Sequence, residues 1–266
     1  MILLFCLTLY MLICALIYVY LSLFPVYSNR FSRIGWKRKI MFVTAHPDDE
    51  CMFFTPSILS MIACGHSVYL LCLSTGDYYG EGEKRKEELF ESCEILGLPV
   101  ENVSLVDDKA LPDNPNVTWD PERICYHTFE MVKKHDINTI ITFDAGGVSG
   151  HNNHCNLHWA FWRCLFQNRI PKGVEVFTLQ SISLFRKYLF IFELPVSFIR
   201  SKLLFVSNLK SIIQAREALQ AHKSQMVWFR YLHMIFSTYM VINTLKELKL
   251  NRPRTYSNKV YADVVS

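Results

Sequence analysis

The N-terminal segment limits the possible folds most, because residues 2–24 (ILLFCLTLYMLICALIYVYLSLF) contain no charged side chain. A helix rises about 1.5 Å per residue, so a run of this length can cross a hydrocarbon core of roughly 30 Å. A cleaved signal peptide would begin with basic residues and carry a shorter apolar stretch of about 7–15 residues. The sequence therefore predicts a retained transmembrane helix and a membrane anchor over residues 1–27.

Five basic residues follow the apolar run with no acidic residue between them: Arg30, Arg33, Lys37, Arg38 and Lys39. This basic juxtamembrane segment, residues 28–39, predicts a single-pass protein whose C-terminal domain lies in the cytosol. The same charges would attract anionic lipid headgroups on that side of the membrane. Glycosylation sequons at Asn102 and Asn116 should then remain unmodified.

The chain beyond the anchor has the composition of an ordinary globular domain. The sequence contains 9 cysteines, an odd number, and no CxxC pair. Neither a disulfide framework nor a cysteine-type zinc site is expected. No repeat or low-complexity linker interrupts the remainder, so we predict one domain over residues 40–266.

Short β-branched and apolar runs alternate with helical patterns after the anchor. Strands are predicted at Lys39–Thr44, Ser67–Leu73, Val103–Val106, Thr139–Phe143 and Glu175–Gln180. Helices are predicted at Cys51–Cys64, at Lys84–Leu96 and from Asp120-Pro121 to about Lys134. This alternation predicts an α/β fold with a Rossmann-like, doubly wound, mostly parallel sheet, preceded by one N-terminal transmembrane helix.

The pattern changes after residue 182. The apolar stretches Leu184–Val206 and Met226–Leu245 are interrupted by charged or ionisable residues: Arg186, Lys187, Glu193, Arg200, Lys202, Arg230 and His233. A charge at the bilayer centre costs about 2.5–3.5 kcal/mol, so neither stretch is a clean second span. We expect buried helices or an interfacial surface that faces lipid.

The motif Ala45-His46-Pro47-Asp48-Asp49-Glu50 follows the first predicted strand of the domain. Ligands bind at the carboxyl ends of strands in open α/β sheets. Clustered carboxylates repel each other and lose hydration, which is unusual unless something is bound. The alternative is a helix N-terminus in which Asp48 or Asp49 acts as the cap.

A second polar segment, Asp144-Ala145-Gly146-Gly147-Val148-Ser149-Gly150-His151-Asn152-Asn153-His154, follows the strand Thr139–Phe143. It therefore lies at the same edge of the sheet, and its glycines permit a sharp turn. Hydrolytic zinc takes three nitrogen or oxygen ligands and leaves one position for water. Two imidazoles and one carboxylate from the two motifs could supply that set, leaving a second carboxylate as a general base and a histidine as an acid or oxyanion-stabilising group.

At these residues the chain resembles the N-acetylglucosaminylphosphatidylinositol (GlcNAc-PI) de-N-acetylases and the bacterial LmbE-like sugar deacetylases. The resemblance covers most of residues 40–225 and rests on the HPDDE motif, the DAGGVSGHxNH segment and Ala221-His222-Lys223-Ser224-Gln225 in the same order. It implies zinc-dependent removal of the N-acetyl group from GlcNAc-PI, the second step of GPI-anchor biosynthesis. It also implies that the anchor lies in the endoplasmic reticulum membrane.

The resemblance further implies roles for individual residues. His46, Asp49 and His154 would bind zinc, Asp48 would be the general base, and His151 would be the electrophilic or acid partner. Glu50 would orient a ligand or the turn, with stabilisation by a helix dipole as the alternative.

Three further residues are candidates for substrate binding. Arg85 follows the second strand and could hold a phosphate, although the run around it also suits an exposed helix face. His222 and Gln225 are predicted on one face of a helix and could line the pocket; an exposed polar face is the alternative.

Other readings remain open. The chain could be a zinc deacetylase of another N-acetylated amino sugar, or a catalytically silent membrane scaffold with the same fold. A nucleotide-binding fold is disfavoured because no GxGxxG follows the first strand. A two-histidine, one-carboxylate set also suits other divalent transition metals. The expected partners are a glycolipid in the membrane and the bilayer itself, with no nucleic acid.

Overall fold

The computed structural model describes residues 1–23, 26–27 and 37–250, beginning with the helix α1 (Ile2–Leu23). Most side chains of α1 are exposed, whereas Cys14 and Leu21 are fully buried. Among the described residues, α1 is the helix whose length and composition suit a membrane span. A long apolar helix is therefore present where the sequence predicts the anchor. Arg30 and Arg33, which carry part of the predicted orientation, lie outside the described residues.

The domain is built on one eight-stranded sheet with the order β1-β7-β8-β6-β5-β2-β3-β4. The strands are β1 (Val26–Tyr27), β2 (Lys39–Thr44), β3 (Ser67–Cys72), β4 (Val103–Leu105), β5 (Thr139–Phe143), β6 (Glu175–Leu179), β7 (Leu204–Val206) and β8 (Ile242–Glu247). The five neighbours β6-β5-β2-β3-β4 run parallel to one another. The predicted α/β fold with a mostly parallel sheet is confirmed, and each of the five predicted strands is present to within one residue at either end.

Helices connect these strands. They are α2 (Thr55–Ala63), α3 (Gly82–Ile95), α4 (Pro121–His135), the short α5 (Gly147–Gly150), α6 (Asn152–Phe166), α7 (Leu184–Lys187), α8 (Leu194–Arg200), α9 (Leu209–Ala221) and α10 (Trp228–Phe236). The predicted start of α4 is correct: the Asp120 carboxylate accepts a hydrogen bond of 3.0 Å from the Glu122 backbone N–H. Pro121 occupies the first helical turn, where its missing N–H costs nothing.

The C-terminal region corrects one expectation. The apolar stretches 184–206 and 226–245 were expected to be helices or a lipid-facing surface, but each of them also contains sheet residues. Strand β8 pairs antiparallel with β6 and with β7, extending the sheet beyond its parallel part. The expectation failed because β7 has only three residues, too few for its alternation to stand out within a longer apolar run.

Aromatic side chains fill the core beneath the parallel strands. Phe54 contacts Phe42 and Phe143 edge to face, with ring centroids 5.5 Å and 4.9 Å apart. A second apolar cluster joins Leu21 of α1 to Leu194 and Leu204. The C-terminal end of α1 is therefore packed onto the domain. Burying one such side chain stabilises a fold by about 1.5–3 kcal/mol.

Candidate active site

The first motif occupies the turn after β2. The Asp49 Oδ2 atom accepts hydrogen bonds from the backbone N–H groups of Ala45 at 2.9 Å and His46 at 3.0 Å. Asp48 has a positive φ of 116°, which is uncommon for a residue with a side chain and is typical of strained functional turns. The predicted helix Cys51–Cys64 starts differently, as a π-helical turn at Glu50–Phe54 that leads into α2. The turn thus fixes one oxygen of Asp49 and leaves the other to face the site.

The second motif forms a tight turn after β5. Gly147 has a φ of +51°, and a Cβ there would lie 2.8 Å from the Cys155 Sγ atom, so glycine is required. His151 caps α6, and His154 follows in its first turn. The His154 ring stacks on Phe143 with centroids 4.0 Å apart, and its Nδ1 atom lies 3.2 Å from the Gly147 carbonyl oxygen. Donation from Nδ1–H to that carbonyl leaves the Nε2 atom as an electron-pair donor.

The two motifs meet at the carboxyl edge of the parallel strands, as the sequence predicts. The His46 ring centroid lies 4.9 Å from that of His151 and 5.4 Å from that of His154. The His154 Nε2 atom lies 3.0 Å from the Asp49 Oδ1 atom, yet it has no hydrogen-bond partner of acceptable geometry. Two buried electron-pair donors this close, without a shared hydrogen bond, fit a common metal ligand site.

Two ligand sets are compatible with this arrangement. The expected set is His46, Asp49 and His154. One nitrogen each from His46, His151 and His154 also lie within 4.8 Å of one another, so a three-histidine set is available. Both sets suit a divalent transition metal. Burial would lower the pKa of His46, but its hydrogen bond to Asp113 and the negative charge of Asp49 outweigh burial and raise it.

His151 differs from the other two histidines in its surroundings. Burial, together with the neighbouring imidazoles of His154 and His46, lowers the pKa of His151 to about 4. Its Nδ1 atom is buried without a hydrogen-bond partner. A neutral His151 can therefore donate one N–H to a ligand in the cavity while the rest of the ring stays enclosed.

A cavity of about 290 Å³ opens above these groups. Its lining includes seven of the residues predicted from the sequence: His46, Asp48, Asp49, Arg85, His151, His154 and Gln225. Asp48 is only 4% exposed, and its Oδ2 atom accepts a hydrogen bond of 2.6 Å from the Arg230 guanidinium. The general-base candidate is thus held by a cation from the C-terminal region.

Arg85 is buried rather than on an exposed helix face. Its guanidinium donates to the backbone carbonyls of Gly76 at 2.9 Å and Pro47 at 2.7 Å, and to the Asp113 carboxylate at 3.3 Å. Most of its donors are therefore used to connect the loops around the cavity. A contact with substrate phosphate remains a proposal for this residue.

Glu50 and His222 form a fully buried pair, with the Glu50 Oε1 and His222 Nε2 atoms 2.7 Å apart. Glu50 also accepts hydrogen bonds from the Ser92 hydroxyl at 2.6 Å and from the Asp48 backbone N–H at 3.0 Å. Burial would raise the pKa of Glu50, but the charge of His222 and its hydrogen bond outweigh burial and lower it. These contacts suit the expected role of Glu50 in orienting the turn.

The prediction that His222 and Gln225 share a helix is wrong. Helix α9 ends at Ala221, and Lys223–Gln225 form a separate 3₁₀ turn. His222 faces Glu50 instead of the cavity, whereas Gln225 lies on the cavity wall. Glu50, Cys51 and His222 also cluster, but burial raises the pKa of the Cys51 thiol well above its usual value, which disfavours a thiolate metal ligand.

Three acidic or basic residues of the cavity lining, Asp113, Lys187 and Arg230, were not predicted as site residues from the sequence. Asp113 lies 3.1 Å from the His46 Nε2 atom, and Lys187 and Arg230 line the same cavity. The signal for Lys187 and Arg230 was present in the sequence, since both interrupt apolar stretches where an isolated charge is costly. No local pattern identifies Asp113, because it comes from a loop between β4 and α4.

Comparisons with known proteins place this site in a family. Residues 41–165 match the family described as PIG-L: GlcNAc-PI de-N-acetylase. The N-acetylglucosaminyl-phosphatidylinositol de-N-acetylase of Bos taurus is 45% identical over 215 residues, covering 80% of this chain and 85% of that protein. The chain belongs to the PIG-L family. The Schizosaccharomyces pombe protein named "Probable N-acetylglucosaminyl-phosphatidylinositol de-N-acetylase" is 37% identical over 216 residues, covering 78% of this chain and 86% of that protein.

The PIG-L assignment confirms the predicted family and the enzyme class, a metal-dependent N-deacetylase. Among solved structures, N,N'-diacetylchitobiose deacetylase from Pyrococcus horikoshii superposes with a TM-score of 0.57 at 13% identity, covering 79% of this chain and 84% of that chain. At that identity the likeness concerns the fold alone. The same architecture is therefore present in a sugar deacetylase of distant sequence.

Proposed function

We propose that this chain hydrolyses the acetamide of GlcNAc-PI to glucosaminyl-phosphatidylinositol and acetate, the second step of GPI-anchor biosynthesis. The 45% identity to the bovine enzyme over most of both chains supports this substrate. The observation that carries the chemistry is the approach of the Asp49 Oδ1 atom to the His154 Nε2 atom beside Asp48 in one cavity. That arrangement combines a proposed metal-ligand pair with a carboxylate outside the ligand set, which metal-assisted amide hydrolysis can use as a general base.

The proposed metal is zinc, held by His46, Asp49 and His154. When bound, a metal of this kind acts as a Lewis acid towards an amide carbonyl and lowers the pKa of water at the site. Asp49 is already aligned for this role, because the backbone N–H groups of Ala45 and His46 fix its Oδ2 atom. Other divalent transition metals would suit the same donors.

The proposed general base is Asp48. Its carboxylate lies in the cavity and would accept a proton from the attacking water, then return it to the amine nitrogen as the C–N bond breaks. Arg230 holds the Oδ2 atom at 2.6 Å, which leaves the Oδ1 atom to accept that proton. His151, neutral because burial lowers its pKa to about 4, would donate an N–H hydrogen bond to the oxyanion that forms at the carbonyl carbon.

We further propose that the cavity opens towards the bilayer. Helix α1 packs against α8, and the Tyr10 hydroxyl donates a hydrogen bond of 2.5 Å to the Phe192 carbonyl. Large apolar side chains of α7, α8 and α10 are exposed, namely Leu184, Phe185, Ile199, Trp228 and Phe229, and Phe229 also lines the cavity. A lipid substrate could reach the site across such a surface without leaving the membrane.

The proposed topology is a single-pass protein of the endoplasmic reticulum membrane with residues 40–266 as a cytosolic catalytic domain. The basic juxtamembrane residues support this orientation. In cells, Asn102 and Asn116 should remain unglycosylated, which digestion with an endoglycosidase followed by gel mobility would test. Sugar on either asparagine would place the active site in the lumen.

Mass spectrometry of the lipid product tests the proposed reaction. The full chain, purified in detergent, should convert GlcNAc-PI to glucosaminyl-phosphatidylinositol, and an Asp48→Asn variant should not. If folded wild-type protein leaves GlcNAc-PI intact but deacetylates a soluble N-acetylated amino sugar, the glycolipid assignment is wrong. If it deacetylates neither, the scaffold alternative is favoured.

A further inference from the structure

Two cations from the C-terminal region line the same cavity as the predicted metal ligands. Lys187 ends α7, and Arg230 lies in α10. Lys187 is 9% exposed, and the Arg230 side chain is 18% exposed. Neither residue belongs to the two motifs that supply the proposed catalytic groups. Cationic side chains do not bind metal ions, so these two side chains are candidates for contact with an anion.

Lys187 lacks an anionic partner. Its Nζ atom lies 5.7 Å from the centre of the Phe53 ring and 5.9 Å from that of Tyr188. Within the part of the chain that the structure describes, no carboxylate or hydrogen-bond acceptor contacts this ammonium group. Burial, followed by the charge of Arg230, lowers the pKa of Lys187. A buried and unpaired cation costs free energy unless an anion joins it.

Arg230 is only partly satisfied. One terminal N–H group donates to Asp48, while the Nε atom is buried without a hydrogen-bond partner. A guanidinium has five N–H donors in a fixed plane, so it can hold a carboxylate on one edge and a second anion on another. Arg85, the third cation of the cavity, uses both terminal nitrogens on Gly76, Pro47 and Asp113, and its Nε atom is buried without a hydrogen-bond partner, as that of Arg230 is.

We propose that Lys187 and Arg230 bind the phosphodiester of the substrate's inositol phosphate, an inference that rests on the proposed function. The phosphodiester is the only charged group of GlcNAc-PI, and it lies between the acetylated sugar and the lipid. The two cations occupy a matching position, because they share the cavity with the metal-ligand residues and border the exposed rings of Tyr188 and Phe229. Such a site would discriminate the glycolipid from neutral amino sugars.

The test compares two soluble substrates without acyl chains. One is N-acetylglucosaminyl-inositol bearing a methyl phosphodiester, and the other is N-acetylglucosaminyl-inositol without phosphate. Because neither carries a lipid, effects of bulk phospholipid headgroups are absent. The variant Lys187→Met removes the charge but keeps the aliphatic stem that packs on Phe53. Lys187→Arg keeps the charge, and Lys210→Met on the exposed face of α9 is the matched control.

We define the preference as kcat/KM for the phosphodiester substrate divided by kcat/KM for the phosphate-free substrate. In Lys187→Met this ratio should fall about tenfold, mainly through a higher KM for the phosphodiester substrate, because a hydrogen bond to a charged group is lost. Lys187→Arg should restore most of the ratio, and Lys210→Met should keep it. A merely structural role would lower both kcat/KM values together and leave the ratio unchanged, which overturns the proposal. Deacetylation of GlcNAc-PI by wild type is scored separately, so failure of the proposed function stays distinguishable.

Discussion

Arg230 in α10 donates a hydrogen bond of 2.6 Å to Asp48, which lies 182 residues earlier in the chain. This contact connects the apolar C-terminal region to the strained turn after β2. It fixes one oxygen of the proposed general base at a backbone position that already has an unusual φ of 116°. The C-terminal region therefore contributes to the geometry of the site and is more than a cover for the sheet.

Replacing Arg230 with Gln should reduce kcat for GlcNAc-PI by about tenfold or more, because Asp48 loses the donor that orients it. Steady-state kinetics in detergent would measure this change. Arg123→Gln is a suitable control, since its pair with Asp108 is half-exposed and outside the cavity. Unchanged kcat in folded Arg230→Gln would show that Asp48 does not depend on this contact.

Variants at Asp48 and His154 should distinguish loss of catalysis from loss of metal binding. Asp48→Asn should keep the metal and lose deacetylation by a factor of about 10²–10⁴, the range typical of a general base. His154→Ala should lose both, because the Nε2 atom that faces Asp49 is removed. Metal content by mass spectrometry and acetate release, measured on the same samples, would check both outcomes.

His151→Ala is the matched variant for that experiment. Retained metal with reduced turnover would support His46, Asp49 and His154 as the ligands. Loss of metal would favour the three-histidine set. Near-normal turnover of folded Asp48→Asn would refute its assignment as the base.

Breaking the buried pair of Glu50 and His222 should destabilise the fold far more than breaking a more exposed pair of the same length. His222→Gln should lower the free energy of unfolding by about 3–5 kcal/mol, because it leaves the buried Glu50 charge unpaired. His127 lies 2.7 Å from Asp108, the same distance as in the buried pair, but its side chain is 21% exposed. His127→Gln should cost about 1 kcal/mol or less. Chemical denaturation would measure both changes, and equal losses of unfolding free energy in His222→Gln and His127→Gln would contradict this ranking.

His233 should make the fold sensitive to acid. Burial lowers the pKa of His233 to about 3, whereas an unfolded histidine has a pKa of about 6.5. Between these values the unfolded chain binds a proton that the folded chain does not, so stability falls as the pH drops from about 6.5 towards 3. His233→Gln should remove up to about 1.4 kcal/mol per pH unit of that slope. Parallel stability curves for variant and wild type would show that His233 does not contribute.

The parallel half of the fold could be predicted because each strand is a short apolar run that ends at a polar motif. His46 and His154 are adjacent in space since β2 and β5 are neighbouring parallel strands, and the motifs follow their carboxyl ends. Sequence order alone therefore placed the metal-ligand candidates at one sheet edge. The local geometry of the site, such as the φ of Asp48, depends on the folded turn.

The rest of the site depends on contacts between distant segments. Asp113 reaches His46 from an irregular loop, and Arg230 reaches Asp48 from an amphipathic helix whose pattern also suits a lipid surface. The predicted shared helix of His222 and Gln225 failed for a similar reason. Their spacing suits a helix, but α9 ends at Ala221. Periodicity identifies faces of elements but does not show where an element stops.

The most direct test of the account is acetate release from radiolabelled GlcNAc-PI by the detergent-solubilised full chain, run untreated, with chelator, and with zinc restored. We expect release in the untreated sample, its loss with chelator and its recovery with zinc, because His46, Asp49 and His154 provide the donors for the metal. Release that persists after complete removal of metal would contradict the proposed mechanism. Absence of release from folded, zinc-loaded protein would contradict the proposed substrate.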